Sequence, residues 1–277
     1  MVELDYERRY ADPAVVQALV DIQVSSDRGS DTNAWWSEFK PGDDYIKSAS
    51  VAADEVEVSG TPYEGITATE ARRNLIGKLW ADANHSREVH VLNGPNPGVA
   101  QMITLLRRGE DANRPGWLGW DKQLLPDTLA AWAAFREVHP RGVLSYVGVR
   151  YVNRFELPAS DNLSLAKYFR TCPNISADTP GIGLRDFLLQ LDTVQEKPGV
   201  FGRLVQTTVP PKQPGRYSVV LDLDVGWKVT PTHSLADNEL GDMLQKLHAI
   251  ENRLFETSIT ESTRQLMSPR TQSLTNS

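Results

Sequence analysis

The chain has 277 residues, of which 40% are hydrophobic, and this is enough to bury a sizeable core without disulfides or structural metals. Its formal net charge is −7 and its lysines and arginines are scattered, so we expect no nucleic-acid partner bound through a basic patch. The single cysteine, Cys172, excludes an internal disulfide and a zinc site made of several cysteines. A charged N-terminus and the lack of a long apolar run predict a cytoplasmic protein without a membrane partner.

The first half of the chain is predicted to form several strands and then a helix. Apolar residues alternate with polar ones from Val15 to Val24, which is typical of a half-buried strand. The next segment is polar but carries Trp35, Trp36 and Phe39, which predicts an irregular or short helical segment fixed by buried aromatic rings. Further strands are predicted over 50–58, 69–80, 88–92 and 99–106, and the helical spacing of apolar residues predicts a helix over 124–138.

The second half repeats this order of elements. The run VLSYVGVRYVNRFELP, residues 143–158, is predicted to be a long strand, and a short amphipathic helix is predicted over 164–170. Apolar residues on one face predict a long helix near the C-terminus, and the polar tail from residue 268 is predicted to be disordered. Between the two helices, three more strands are predicted over 187–194, 202–209 and 217–229, and the long helix that follows them is predicted over 235–259.

The shared order of elements predicts a pseudo-duplicated protein with halves at 1–140 and 141–267 and a disordered tail at 268–277. Consecutive strands joined by short turns form antiparallel sheets, and helices with one broad apolar stripe must cover a face of such a sheet. We therefore predict an α+β fold in which a curved antiparallel sheet has helices packed on one face. By topological analogy, this layout is similar to the helix-grip or TATA-binding-protein-like arrangement.

Two aspartates, Asp222 and Asp224, interrupt the apolar run VVLDLDVGW. Strand alternation places both on one face, and in GVRYVNRFELP it places Arg154 and Glu156 together on a face opposite Asn153. If the two strands are neighbours, the charged side chains gather on one sheet surface as cross-strand ion pairs. The alternative is that Asp222, Asp224 and Glu156 bind Mg²⁺ for phosphoryl chemistry or act as a general acid and base.

The ion-pair interpretation is favoured because no companion motif accompanies the carboxylates. The five histidines are spread along the sequence and predict no zinc site, no G-x-S-x-G elbow is present, and the turns PGIG and GPNPG lack the lysine of a phosphate-binding loop. Glu256, Ser258 and Thr260 are interpreted as the polar end of a helix rather than as ligand contacts. An aromatic cluster is interpreted as core or as a partner surface: Trp117, Trp120, Trp132 and Phe135.

Three stretches follow one another along the chain: GVRYVNRFELP at 148–158, VVLDLDV at 219–225 and LHAIENRLFETSIT at 247–260. Together they resemble an uncharacterised family found sporadically in bacteria and archaea, and the resemblance covers mainly the C-terminal half. In the N-terminal half, only the strand VVQALVDIQV and the helix around Trp132 fit the family. The sporadic distribution of the family implies genes that move horizontally, and so a role in phage defence, in a toxin–antitoxin system or in a mobile element.

We therefore predict a non-enzymatic binding or regulatory protein without a cofactor, whose partner is another protein or a small ligand held between sheet and helices. The predicted binding residues are Asn153, Arg154, Glu156, Asp222 and Asp224. The competing hypothesis is a metal-dependent nuclease or phosphohydrolase that uses Asp222, Asp224 and Glu156 with Mg²⁺. A third hypothesis is a structural subunit that forms homo-oligomers through the aromatic segment 117–135.

Overall fold

The computed structural model describes residues 10, 12–25, 35–59, 67–94, 96, 98–108, 118–159, 164–173, 186–194, 199–229 and 239–267. The strands in this part are β1 (Val15–Ser25), β2 (Lys47–Ser59), β3 (Thr67–Ala81), β4 (Arg87–Asn93), β5 (Val99–Arg107), β6 (Val143–Pro158), β7 (Leu188–Val194), β8 (Val200–Val209) and β9 (Arg216–Lys228). The helices are α1 (Leu125–Val138), α2 (Leu240–Ser258) and α3 (Glu261–Leu266). A π-helical turn, Trp120–Leu124, precedes α1.

The strands form one open sheet in the order β2-β3-β4-β5-β1-β6-β9-β8-β7, and the sheet is mostly antiparallel. The strands β2 to β5 meander back to lie beside β1, and the strands β7 to β9 meander back to lie beside β6. Short connections between consecutive strands favour such antiparallel meanders. The predicted α+β class with an antiparallel sheet is confirmed, while the duplication and the helix-grip comparison remain predictions.

The chain divides into two compact units. The terminal unit consists of Met1–Leu19 with Val147–Ser277, and the central unit is Val20–Tyr146. In the terminal unit, residues from both ends of the chain meet, because the backbone N–H of Asp12 donates to the carbonyl oxygen of Met267 at 3.1 Å. Each unit buries a hydrophobic core of its own.

In the terminal unit, α2 packs against β9. Leu240, Leu244 and Leu247 recur at the spacing of one helical stripe, and all three are buried. The strand residues alternate in burial along β9, so that Leu221 and Leu223 are buried on one face. Aromatic and aliphatic residues from β6, from the segment 165–169, from β8 and from the residue after α2 complete this core: Phe155, Leu157, Leu165, Tyr168, Phe169, Leu204 and Ile259.

In the central unit, aromatic residues from 35–39 pack against α1 and β3. The ring of Trp35 stacks on that of Phe135 with centroids 6.1 Å apart, and Phe39 meets Trp80 edge to face at 4.9 Å. Trp36 is buried together with Trp35 and Phe39, so the predicted burial of this aromatic stretch is confirmed.

The helix α1 and the turn before it contribute aromatic side chains to the same core. Trp120, Trp132 and Phe135 are buried, and Trp117 lies outside the described residues. In the part of 117–135 that the structure describes, these aromatic side chains therefore belong to the core rather than to the surface. Homo-oligomer formation through this segment stays a prediction.

One helical prediction differs from the structure, and one short helix was not predicted. The short helix predicted over 164–170 is a 3₁₀ turn, Leu165–Lys167. The long helix α2 begins at Leu240, and residues 235–238, which were predicted to open it, lie outside the described part of the chain. The helix α3 was not predicted, because its six residues are too few for a hydrophobic period to show. The tail predicted to be disordered, 268–277, also lies outside the described residues.

Candidate functional site

The candidate site lies on the outer face of β6 to β9 in the terminal unit, opposite the face against which α2 packs. Alternating burial along β9 leaves Asp222 and Asp224 half-buried on the outer face, while Leu221, Leu223 and Val225 are buried on the other. The alternation predicted for VVLDLDVGW is therefore confirmed.

Asp222 is held by an arginine on β6. Arg150 donates from Nε to Asp222 Oδ1 at 2.8 Å and from Nη2 to Oδ2 at 2.6 Å, which makes a bidentate cross-strand pair. The arginine expected from the sequence on this surface was Arg154, whereas the arginine that pairs with Asp222 in the structure is Arg150. The signal was present, since Arg150 and Arg154 are four residues apart and therefore lie on the same face of the strand.

Glu156 is also paired with an arginine. Arg154 donates from Nε to Glu156 Oε1 at 2.8 Å, and the hydroxyl of Ser218 donates to the same oxygen. Burial acts to raise the pKa of Glu156, but the hydrogen bonds from Ser218 and Arg154 and the charge of Arg154 outweigh it and hold the pKa below its ordinary value. Arg154 also donates from Nη2 to Pro210 O at 2.7 Å, so its guanidinium ties β6 to the end of β8.

Asp224 faces Arg203 in the register of β8 and β9. Burial raises the pKa of Asp224, the charge of Arg150 opposes that rise, and the nearby charge of Asp222 adds to it. Arg203 itself donates from Nε to Oδ1 of Asp192, on β7, at 2.7 Å. The row Asp192, Arg203 and Asp224 thus alternates in charge across three neighbouring strands.

Asn153, the fifth predicted binding residue, does not join these side chains. It is 4% exposed on the opposite face of β6 and donates from Nδ2 to Leu221 O at 3.4 Å. The other four predicted binding residues do come together on one surface. We call this surface, which extends over four neighbouring strands, the charged face, and it consists of Arg150, Arg154, Glu156, Asp192, Arg203, Asp222 and Asp224.

The charged face differs from a metal site in its chemistry. In the described part of the chain, no three histidine, cysteine, aspartate or glutamate side chains are grouped so that they could hold a metal ion. Asp222 and Glu156 already accept hydrogen bonds from arginines, and a guanidinium in that position repels a cation. What the arrangement offers is a set of fixed charges of both signs on a rigid sheet.

Comparisons of the chain with protein-family models, with curated proteins and with solved structures give no match. The resemblance of the three C-terminal stretches to a sporadically distributed family therefore stays a prediction. Within the described residues, no helix combines the length and the apolar composition that crossing a membrane requires.

A second polar cluster, on the other face of the terminal unit, was missed by reasoning from the sequence. Glu251 on α2 is only 2% exposed, and burial raises its pKa to about 8. On the same helix, Nδ1 of His248 lies 3.3 Å from the hydroxyl oxygen of Tyr151, and its Nε2 lies 3.1 Å from Nδ2 of Asn252. The available signal was spacing, because Glu251 lies four residues after Leu247 and so continues the leucine stripe.

In the central unit, two of the five histidines meet at one glutamate. Nε2 of His90 lies 2.8 Å from Oε2 of the buried Glu88, and Nδ1 of His85 lies 3.8 Å from Oε1. Arg107 donates to the two oxygens at 3.4 and 3.5 Å. Burial acts to raise the pKa of Glu88, but the hydrogen bonds from His90 and Arg107 hold it below its ordinary value. Because Arg107 shares the carboxylate, the geometry is that of an ion-pair cluster.

Proposed function

We propose that the protein is a non-enzymatic binding or regulatory protein whose charged face contacts another protein. One observation carries the proposal: two of the three carboxylates that the hydrolase hypothesis needs, Asp222 and Glu156, accept hydrogen bonds from arginines, and Asp222 does so in a bidentate pair with Arg150. Catalytic carboxylates must keep oxygen positions free for a metal ion, a water molecule or a substrate proton. Carboxylates held in cross-strand pairs instead fix the charge pattern of a surface.

A surface of this kind suits recognition of a protein. The strands hold side chains of both signs at fixed spacings, and complementary charges on a partner supply specificity and rapid association. At the β7 end of the charged face, the side chains of Arg203 and Asp192 are accessible to a partner, because they are 51% and 62% exposed. Exposed ion pairs contribute little to the free energy of folding, so stability alone gives weak reason for the arrangement.

Metal titration separates this proposal from the competing hypothesis of a metal-dependent nuclease or phosphohydrolase that uses Asp222, Asp224 and Glu156. Calorimetry with MgCl₂ and MnCl₂ should reveal no stoichiometric binding, because arginines neutralise Asp222 and Glu156. The variant Asp224→Asn should give the same flat titration. Stoichiometric binding that Asp224→Asn abolishes, together with hydrolysis of nucleotides or nucleic acid, would overturn the proposal.

A charge swap tests the binding role directly. The double variant Arg150→Asp with Asp222→Arg keeps an ion pair and reverses the local charges. Tagged wild-type protein should retain a discrete partner from an extract of the cells that encode it, and the swapped protein should lose that partner while keeping its circular dichroism spectrum. Lys122→Glu reverses an exposed charge in the central unit and should leave the partner bound. Equal retention by wild-type and swapped protein would contradict the proposal.

The family resemblance supports a more specific form of the proposal, in which the partner belongs to a phage-defence, toxin–antitoxin or mobile-element system. The products of genes adjacent to the one that encodes this chain are therefore the first partners to test, by co-expression and co-purification. Co-purification that the Arg150–Asp222 charge swap abolishes would support this form. Adjacent genes without any such product would argue against it and would leave the general binding role standing.

A further inference from the structure

The strand β7 lies at one end of the sheet. Its residues Leu188–Val194 pair in antiparallel register with β8, and no described strand pairs with its other edge. In an antiparallel strand, backbone N–H and C=O groups point alternately to the two sides. Within the described part of the chain, the outer edge of β7 thus presents a row of hydrogen-bonding groups without a strand partner, and an extended chain is the structure that satisfies such a row.

Apolar side chains are accessible at this edge. Leu188 is 71% exposed and Leu191 is 39% exposed, and the two point to opposite faces of the strand. Edge strands are commonly protected against pairing by charged residues or proline. The strand at the other end of the sheet, β2, has four charged residues in its sequence KSASVAADEVEVS, whereas β7 has one, Asp192. Of the two edges, β7 is therefore the one suited to accept another strand.

A cleft of about 180 Å³ lies beside this edge, between α2 and the strands β7 to β9. On the sheet side the cleft is lined by Thr193, Gly202 and Val225. The wall is crowded at Gly202, since a Cβ atom at that position would come within 2.8 Å of Thr193 Oγ1. A cavity of roughly 150 Å³ holds a benzene-sized group, so the cleft has room for one apolar side chain. Residues of α2 form the other wall: Ile250, Arg253, Leu254 and Thr257.

We propose that an extended segment of the protein partner adds as a strand to β7 and inserts an apolar side chain into the cleft. This inference rests on the proposed function, because it describes how a protein partner binds. Side chains of an added strand point alternately to the two faces, so residues two positions from the inserted one pass beside Leu191, which shares a face with Thr193. Because the side chain of Leu191 is apolar and 39% exposed, an apolar residue is expected at that position of the segment as well.

A library of short random peptides displayed on phage, selected against the full chain, provides the probe. Selected peptides should share an alternating apolar pattern and should slow amide exchange in β7. They should bind about tenfold more weakly to Thr257→Trp, whose indole fills the cleft from an exposed position. The matched control is Lys246→Trp, which is also exposed on α2 but lies about 16 Å away along the helix axis and should bind as the wild type does.

Selected peptides that bind Thr257→Trp as tightly as the wild type would overturn the inference, and so would amide protection confined to other strands. Self-association of the chain that Leu191→Lys abolishes would also overturn it, because the occupant of the edge would then be a second copy. The two proposals fail by different outcomes. Peptides whose binding is unchanged by Thr257→Trp but abolished by the Arg150–Asp222 charge swap would contradict only the strand-addition inference. Stoichiometric metal binding together with hydrolysis would contradict the proposed function itself.

Discussion

Glu251 continues the leucine stripe of α2, and its side chain carries a carboxyl group into the buried part of the terminal unit. Burial raises the pKa of this carboxyl group from the ordinary 4.5 to about 8, so the folded protein keeps it protonated at neutral pH. The unfolded chain releases the proton near its ordinary pKa. Between the two values the folded state binds more protons than the unfolded state, and stability therefore falls as pH rises through this window. At pH values below the window, both states are protonated and the contribution is fully present.

Replacing Glu251 with glutamine, which has the same shape without an ionisable proton, should remove this dependence. Urea unfolding from about pH 5 to about pH 8 should give a wild-type stability that falls by up to about 1.4 kcal/mol per pH unit relative to Glu251→Gln. Asp242→Asn removes an exposed carboxylate from the same helix and should keep the wild-type slope. Parallel slopes for the wild type and Glu251→Gln would mean that Glu251 is ionised in the folded protein.

The two polar clusters of the terminal unit differ in how far the sequence reveals them. The period of a strand fixes the face of each residue, so Asp222, Asp224, Arg154 and Glu156 could be assigned to polar faces from local pattern alone. A glutamate at a core spacing gives no comparable signal, because glutamate is normally exposed on helices. The burial of Glu251 depends on the sheet face beneath α2, and only the assembled fold supplies that information.

At the scale of elements, α3 is attached to α2 by a buried ion pair. Arg264 donates from Nε to Glu256 Oε2 at 2.8 Å and from Nη2 to Glu256 O at 2.6 Å. The hydroxyl of Tyr10 donates to the other carboxylate oxygen at 2.6 Å. A helix of six residues is not stable by itself, so α3 depends on these contacts and on its packing.

Arg264→Met should destabilise the protein by about 3–5 kcal/mol, because it leaves Glu256 charged and buried without its partner. The double variant Glu256→Leu with Arg264→Met should recover most of this loss, since neither buried charge remains. Denaturant unfolding followed by circular dichroism measures both variants, and Arg253→Met, at an exposed position on α2, serves as the control. Equal losses in the single and double variants would mean that packing rather than charge pairing accounts for the contribution of Arg264.

The strands were largely predictable, whereas the order in which they pair was not. The bounds of β6 agree with the prediction over 143–158, and those of β9 agree within one residue, because alternation and flanking glycine or proline are local signals. The pairing of Arg150 with Asp222 joins residues 72 positions apart in the chain. Such a contact requires β6 and β9 to be neighbours in the sheet. Which strands are neighbours cannot be read from a local sequence pattern when they lie so far apart in the chain.

At the scale of the whole molecule, the terminal unit is built from both ends of the chain. The N–H of Arg154 donates to Ala14 O at 2.9 Å, and the N–H of Asp12 donates to Met267 O at 3.1 Å. Contacts between such distant segments close long loops and contribute to stability only when both segments are in place. The order of α3 should therefore depend on residues that precede β1, while the central unit, Val20–Tyr146, does not contain them.

Removal of residues 1–13 should loosen the terminal unit selectively. The truncated chain lacks the hydrogen bond from Tyr10 to Glu256 and the one from Asp12 to Met267, so amide exchange in α3 should become at least about tenfold faster. Amides of β4 and β5 in the central unit should exchange as they do in the full chain. Tyr10→Phe removes only the hydroxyl and should accelerate the same amides of α3 to a smaller extent. Equal acceleration in β4, β5 and α3 would mean that the N-terminal residues stabilise the entire chain, because local opening of one unit cannot expose amides of the other.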